Sequence, residues 1–388
     1  MSLPSPRRRQ LVAVLAGIAA LFVIISLPDL APPPSGGEPI EVVRARIVEF
    51  LPPQQPVDPS APELGIQPDV LVEVLDGPRS GQRTGAYLQG PSGELDLPRY
   101  ALGEEVVVTF TQQPEGGDFV AVSDRWRLPT LAFLTVAFGA AVALVAGGRG
   151  LRALLALALT VAIVLKIVVP LLLQGVEPIP LAVIVASFVT VLTIGLTEGI
   201  TRPAVAAILG TFAALALTAV LSAVSTTLAG FTNAAGTDLV YLQGTTAGTP
   251  LDLRGMLLAA FIFGALGVLD DVTVTQAATV EELATRGGLR GGELLRSALN
   301  VGRSHIAATI NTLFLAYVGA SLPLLVLFGV VQQPAFVIAN DEIVAVEIVR
   351  TLVGSLGIVA AVPLTTLIAT WLVVPGEVPD PRAGGIGA

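Results

Sequence analysis

Gly264-Ala265-Leu266-Gly267-Val268-Leu269-Asp270-Asp271-Val272-Thr273-Val274-Thr275-Gln276-Ala277-Ala278-Thr279-Val280-Glu281-Glu282-Leu283 is the stretch whose reading decides the fold. It begins inside an apolar run that starts at Met256, meets two adjacent aspartates and continues without a helix breaker to two adjacent glutamates. Wound as one α-helix, Gly264, Gly267, Asp271, Thr275, Ala278 and Glu282 share a face. That face is small and polar, and the rest of the helix is aliphatic. In a membrane, small residues let a second helix come close, and polar ones turn into the bundle. The reading therefore points Asp271 inward and sets Asp270 about 100° away. An ionised Asp at mid-depth costs about 2.5–3.5 kcal/mol, so the pair reads as a functional site.

Working outward, the composition agrees with a membrane chain. Of 388 residues, 53% are hydrophobic and 13% charged, and the mean hydropathy is +0.79. Several apolar runs reach about 18 residues, enough to cross about 30 Å of hydrocarbon. There is no cysteine, which excludes disulfides and thiolate metal sites. The net charge of −9 says little, because orientation follows the placement of Arg rather than the total.

The spacing predicts an α-helical polytopic membrane protein with about eight transmembrane helices and a small extracytoplasmic β-rich domain. Residues 1–28 read as a signal anchor behind Arg7, Arg8 and Arg9. Residues 38–124 carry five short strands separated by Gly/Pro turns such as Asp76-Gly77-Pro78-Arg79-Ser80-Gly81, and read as a small barrel, OB-like, or a sandwich. In the second strand Val70, Val72 and Val74 alternate with Leu71, Glu73 and Leu75. Residues 129–375 hold seven further spans, near 129–146, 153–173, 181–197, 204–228, 255–280, 305–330 and 343–374. A flexible tail follows at 376–388. With the basic N-terminus inside, Arg149, Arg152, Arg202, Arg286, Arg290, Arg296, Arg303 and Arg382 fall on the cytoplasmic side, and the outer loops between spans carry Arg254 alone. This asymmetry predicts that both termini are cytoplasmic, in a plasma membrane.

Polar residues inside the spans are the candidate site. Asp270 and Asp271 suit a proton relay or cation site, since two adjacent carboxylates in a low dielectric do not easily both ionise. Thr275 and Glu282 continue the Asp271 face, with Glu282 at its mouth. Asn311 and Thr312 lie two turns into the next span, where Asn311 is placed to bond Asp271. Glu347 and Arg350, three apart on the last span, make a pair that neutralises itself or gates the outer side. Gly354 and Gly357 share their face, and Gly264 and Gly267 share that of Asp271; all four read as helix-packing positions. Ser187, Thr190 and Thr197 form a mild polar stripe on the fourth span. His305 reads as a boundary residue, and Lys166 as one that snorkels. No Walker A sequence, His/Cys cluster or Gly-x-Ser-x-Gly is present, so neither an enzyme nor a cofactor is expected. Whether a metal binds is left open.

The second half resembles the YibE/F family of multi-pass bacterial membrane proteins. The resemblance rests on Gly264 to Asp271 running on to Leu283, on Asn311-Thr312-Leu313-Phe314-Leu315-Ala316-Tyr317-Val318-Gly319, and on Glu347 to Ser355 with Val362-Pro363-Leu364-Thr365. The turn from Asp76 to Gln82 is similar too. The resemblance implies a permease or exporter and names no substrate. A fainter similarity, to the proton-carrying half of RND-type exporters, departs by two additional spans and a far smaller exported domain. The expected function is secondary transport of an ion or small solute, proton- or cation-coupled through the aspartate pair. The alternative is a non-transporting scaffold or sensor whose β-domain binds a partner. Expected partners are the lipid bilayer and a small solute or ion, with no nucleic acid; a homo-oligomer is left open.

Overall fold

The computed structural model describes residues 6–27, 41–51, 68–88, 100–112, 118–232, 251–331 and 334–373. The chain divides into two compact units, residues 34–144 and residues 1–33 with 145–388.

In the first unit the period-2 segments become β1 (Glu41–Phe50), β2 (Val70–Val74), β3 (Arg83–Leu88), β4 (Glu105–Gln112) and β5 (Asp118–Arg125). They close into a barrel in the order β1-β2-β3-β5-β4. Closure needs β1 to pair with both β2 and β4: Ile47 stands opposite Val72 and Val43 opposite Val108. It also needs the one parallel pairing, Tyr87 opposite Ala121. The alternation read in the sequence faces the barrel axis, where Val43, Ala45, Ile47, Val70, Val72, Val74, Val106, Val108 and Val122 are all at most 5% exposed. A barrel, not a sandwich, is the outcome, and closure leaves no open sheet edge.

The turn at 76–81 is tied to the barrel. Gly77 and Gly81 take left-handed backbone, φ 76° and 82°. Asp76 accepts a 2.7 Å hydrogen bond from the Arg44 backbone N–H. Arg79 forms ion pairs with Glu41 and Asp118 while lying over the Phe110 ring.

The second unit is helical: α1 (Pro6–Ser26), the later part of α2 (Leu128–Ile163), α3 (Val169–Leu173), α4 (Pro178–Thr197), α5 (Arg202–Ala229), α6 (Leu253–Thr285), α7 (Gly291–Ala320), α8 (Leu322–Val331), α9 (Ala335–Asn340) and α10 (Glu342–Val373). Among the described residues, five helices are long and apolar enough to cross a membrane, or up to six with the bent α7–α8 pair. One of them, Leu128–Leu173, has 46 residues. A straight helix of that length would be about 69 Å, more than twice the hydrocarbon thickness. Helical geometry breaks inside it at Gly147, φ 56° and ψ −137°. Farther along, Pro170 has no N–H, and its ring would press on the Lys166 carbonyl. The helix answers with a π-turn over Val164–Val168, where the Val169 N–H reaches back to the Val164 carbonyl.

Two expected spans differ in detail. The connector carrying Arg296 and Arg303 is already helical, being the first turns of α7. The seventh span is bent by 58° between α7 and α8. The Pro-rich loop between β1 and β2, most of the loop after α5 and the tail at 376–388 lie outside the described residues.

Helix α6 is the axis of the bundle, with α4, α5, α7 and α10 packed against it. Its knobs are large: Leu258, Ile262, Leu266, Leu269, Val272 and Val280 are buried. The small residues that admit them belong to α5, whose Ala204, Ala207, Thr211, Ala214, Thr218 and Ser222 are buried along one face. On the α5–α10 contact, a Cβ at Gly357 would collide with the Thr218 hydroxyl, and one at Gly210 with Thr365.

Candidate functional site: an aspartate held by threonine hydroxyls

Asp270 and Asp271 lie at the middle of α6, a helix of 33 residues. The structure turns them opposite to the sequence expectation. Asp270 is part-buried against α4, while Asp271 is exposed, together with Gly264, Gly267, Thr275, Ala278 and Glu282. The face read as inward is the one that α6 leaves uncovered. The physical reason is that the close approach comes from α5, so large aliphatic residues of α6 fill the core and its small-polar stripe is what remains.

The Asp270 carboxylate accepts a 3.2 Å hydrogen bond from the Thr190 hydroxyl through one oxygen and a 3.1 Å bond from the Thr193 hydroxyl through the other. Thr190 and Thr193, three apart, point from one face of α4. The Thr211 hydroxyl of α5 lies 2.7 Å from that of Thr273. Thr273 donates to the Asp270 carbonyl at 3.2 Å. The carboxylate is thus met directly from α4, and α5 reaches the residue through Thr273. No salt bridge to Asp270 occurs among the described residues.

One turn beyond Thr273, Gln276 is 3% exposed. Its amide donates to the Ala298 carbonyl at 3.0 Å and to the Thr366 hydroxyl at 2.7 Å, tying α6 to α7 and α10. Thr218, Ser222, Thr226 and Thr365 extend the buried polar row along α5 and α10.

The other candidates stand apart from Asp270. Asn311 and Thr312 are exposed, and Thr312 spends its hydroxyl on the Ala308 carbonyl at 3.0 Å. The expected bond between Asn311 and Asp271 does not form within the chain. Glu282 is exposed and pairs with Arg286 at 2.8 Å. Glu347 and Arg350 do pair, at 2.6 Å, with the guanidinium over the Phe261 ring. Glu347 also lines a cavity of about 170 Å³ with Tyr317, Ser321, Leu325, Thr351 and others, where α7 and α8 bend past α10. Gly354 and Gly357 are buried in helix contacts, but Gly264 and Gly267 are not. His305 is part-buried near the basic end of α7. Among the described residues no three His, Cys, Asp or Glu gather as a metal site.

Sequence reading noted Thr190 and missed Thr193, Thr211, Thr273 and Gln276. On α5 the signal was legible, since Thr211, Thr218, Ser222 and Thr226 recur at steps of seven and four.

A family model described as YibE/F-like protein matches residues 134–375, more than half of the chain. The three sequence blocks around Asp270, Asn311 and Glu347 lie within that match, whereas the barrel and its 76–81 turn lie before it. Comparison with curated proteins and with solved structures returns no match.

Proposed function

Because this chain belongs to the YibE/F family and builds a membrane-type helical bundle around Asp270, we propose that it is a secondary transporter of an ion or small solute, driven by proton exchange at Asp270. The observation that carries the reading is the nature of the partners: among the described residues Asp270 is held by threonine hydroxyls and by no cation. A threonine hydroxyl donates to a carboxylate and, after rotating, accepts from a carboxylic acid. Both protonation states are therefore served, whereas an arginine would hold the ionised one alone. Protonation changes the demand for donors from α4. The packing of α4 on α6 is thereby biased between two arrangements, which alternating access requires.

In this reading the chain crosses the membrane eight times, with both termini in the cytoplasm and the barrel outside. Support comes from the break at Gly147, which divides the 46-residue helix into two span-length pieces, and from the sequence positions of the arginines, which an eight-span arrangement gathers on one side. The second reading, a scaffold or sensor acting through its exported domain, draws on a barrel with a core of its own.

Proteoliposomes with a pH-sensitive dye inside and an imposed pH gradient separate the two. The transport reading expects at least one solute of a screened panel of inorganic ions and small organic ions to evoke proton movement. Asp270→Asn should abolish the response, and Asp271→Asn, at equal membrane abundance, should retain most of it. A wild-type protein silent across the panel, or a response surviving in Asp270→Asn, would refute it.

A further inference from the structure

The Asp271 face of α6 has the composition of a helix interface and, among the described residues, is left uncovered beyond the Tyr317 contact at Gly264. Gly264, Gly267, Asp271, Thr275 and Ala278 are all exposed, and a Cβ built on Gly267 meets no atom within 4 Å. Asp271 stands at the middle of α6, a helix long and apolar enough to cross a membrane, and in such a span lipid offers a carboxylate no hydrogen bond. On neighbouring α7, Asn311 is exposed as well and makes no hydrogen bond among the described residues. The two lie at similar depth. Contacts between the helices at Gln276–Ala298 on one side and near Gly264–Tyr317 on the other bracket both Asp271 and Asn311. One surface thus presents an acceptor without a donor and a donor without an acceptor.

We infer that this face is the interface with a second copy of the chain, related by a two-fold axis. An isologous contact brings each surface element against its counterpart. Asp271 of one copy then accepts from Asn311 of the partner subunit, and the reciprocal bond forms at the same time. Gly264, Gly267 and Ala278 let the two α6 helices approach closely enough for those short side chains to meet. The complementarity is internal to this surface, which is why a second copy fits it: an unrelated partner would have to supply both a donor and an acceptor at matching depth. Helix α1 is not a substitute, since from Val14 to Ser26 it carries one hydroxyl, Ser26, already donated to the Phe22 carbonyl. The inference does not depend on transport.

The cysteine-free chain allows a direct test in membranes. Gly267→Cys adds a thiol where the single chain has open space, and Val220→Cys places one on α5 at a site 59% exposed. Oxidation with copper phenanthroline at low protein-to-lipid ratio should trap most of Gly267→Cys as a dimer and leave Val220→Cys monomeric. Differently tagged wild-type copies, mixed by co-expression, should co-purify. Gly267→Trp should reduce that recovery at least tenfold, with Val220→Trp unchanged. Equal trapping at both positions, absence of co-purification, recovery indifferent to Gly267→Trp, or recovery of another membrane protein in place of the second copy would overturn the proposal.

Discussion

At the scale of single residues, neighbours in sequence have opposite surroundings. One step of 100° along α6 separates an aspartate met by two α4 hydroxyls from one with none. That one face of α6 holds small and polar residues was legible; which way it points was not. Small residues mark a close contact, yet the decisive ones sit on α5, and only tertiary packing reveals that they receive the large side chains of α6. Glycines sort by the same test. A Cβ at Gly357 strikes the Thr218 hydroxyl, while one at Gly267 meets nothing within 4 Å. Gly357→Val should therefore destabilise the bundle by about 1–3 kcal/mol through overpacking. Gly267→Ala should cause no such loss within the single chain, where there is open space and helix propensity favours Ala by about 1 kcal/mol. Thermal unfolding in detergent reads the difference, and equal melting temperatures would contradict the packing described.

Secondary elements followed the sequence where periodicity was strong. All five strands occupy the expected segments, because small and branched apolar residues at every second position admit one register toward a core. Breaks between helices were legible in part. The break at Gly147 falls in the gap expected between the spans 129–146 and 153–173, whereas the 58° bend after Ala320 falls in an apolar run with no charge to announce it. The π-turn at Val164–Val168 follows from Pro170 once the carbonyl it displaces is identified. The Gly147 break carries a topological consequence. If it separates two spans, Arg149→Cys and Arg290→Cys react with an impermeant thiol reagent from one side of the membrane, and Ser80→Cys from the other. Labelling of Arg149→Cys together with Ser80→Cys would remove a span from the account.

As a whole the chain joins a barrel with its own valine core to a bundle with two unlike polar surfaces, one inside and one outside. The helical class and the existence of a polar centre were readable from runs of apolar residues interrupted by acids. The identity of the inner acid was not, because it depends on threonines from α4 and α5 that are far away in sequence. Family membership adds that residues 134–375 belong together, and it leaves the chemistry to the site. On the proposed readings the two surfaces divide the roles: Asp270 exchanges the proton inside each copy, and Asp271 joins copies.

Asp270 is proposed to gain and lose a proton within the membrane. The infrared difference spectrum of the reconstituted protein, recorded as bulk pH is stepped, measures this without knowledge of the solute. The wild type should show a protonated-carboxyl C=O band that disappears as pH rises. That band should be missing in Asp270→Asn and present in Asp271→Asn. A spectrum unaltered by Asp270→Asn, or a band lost only in Asp271→Asn, would contradict the account.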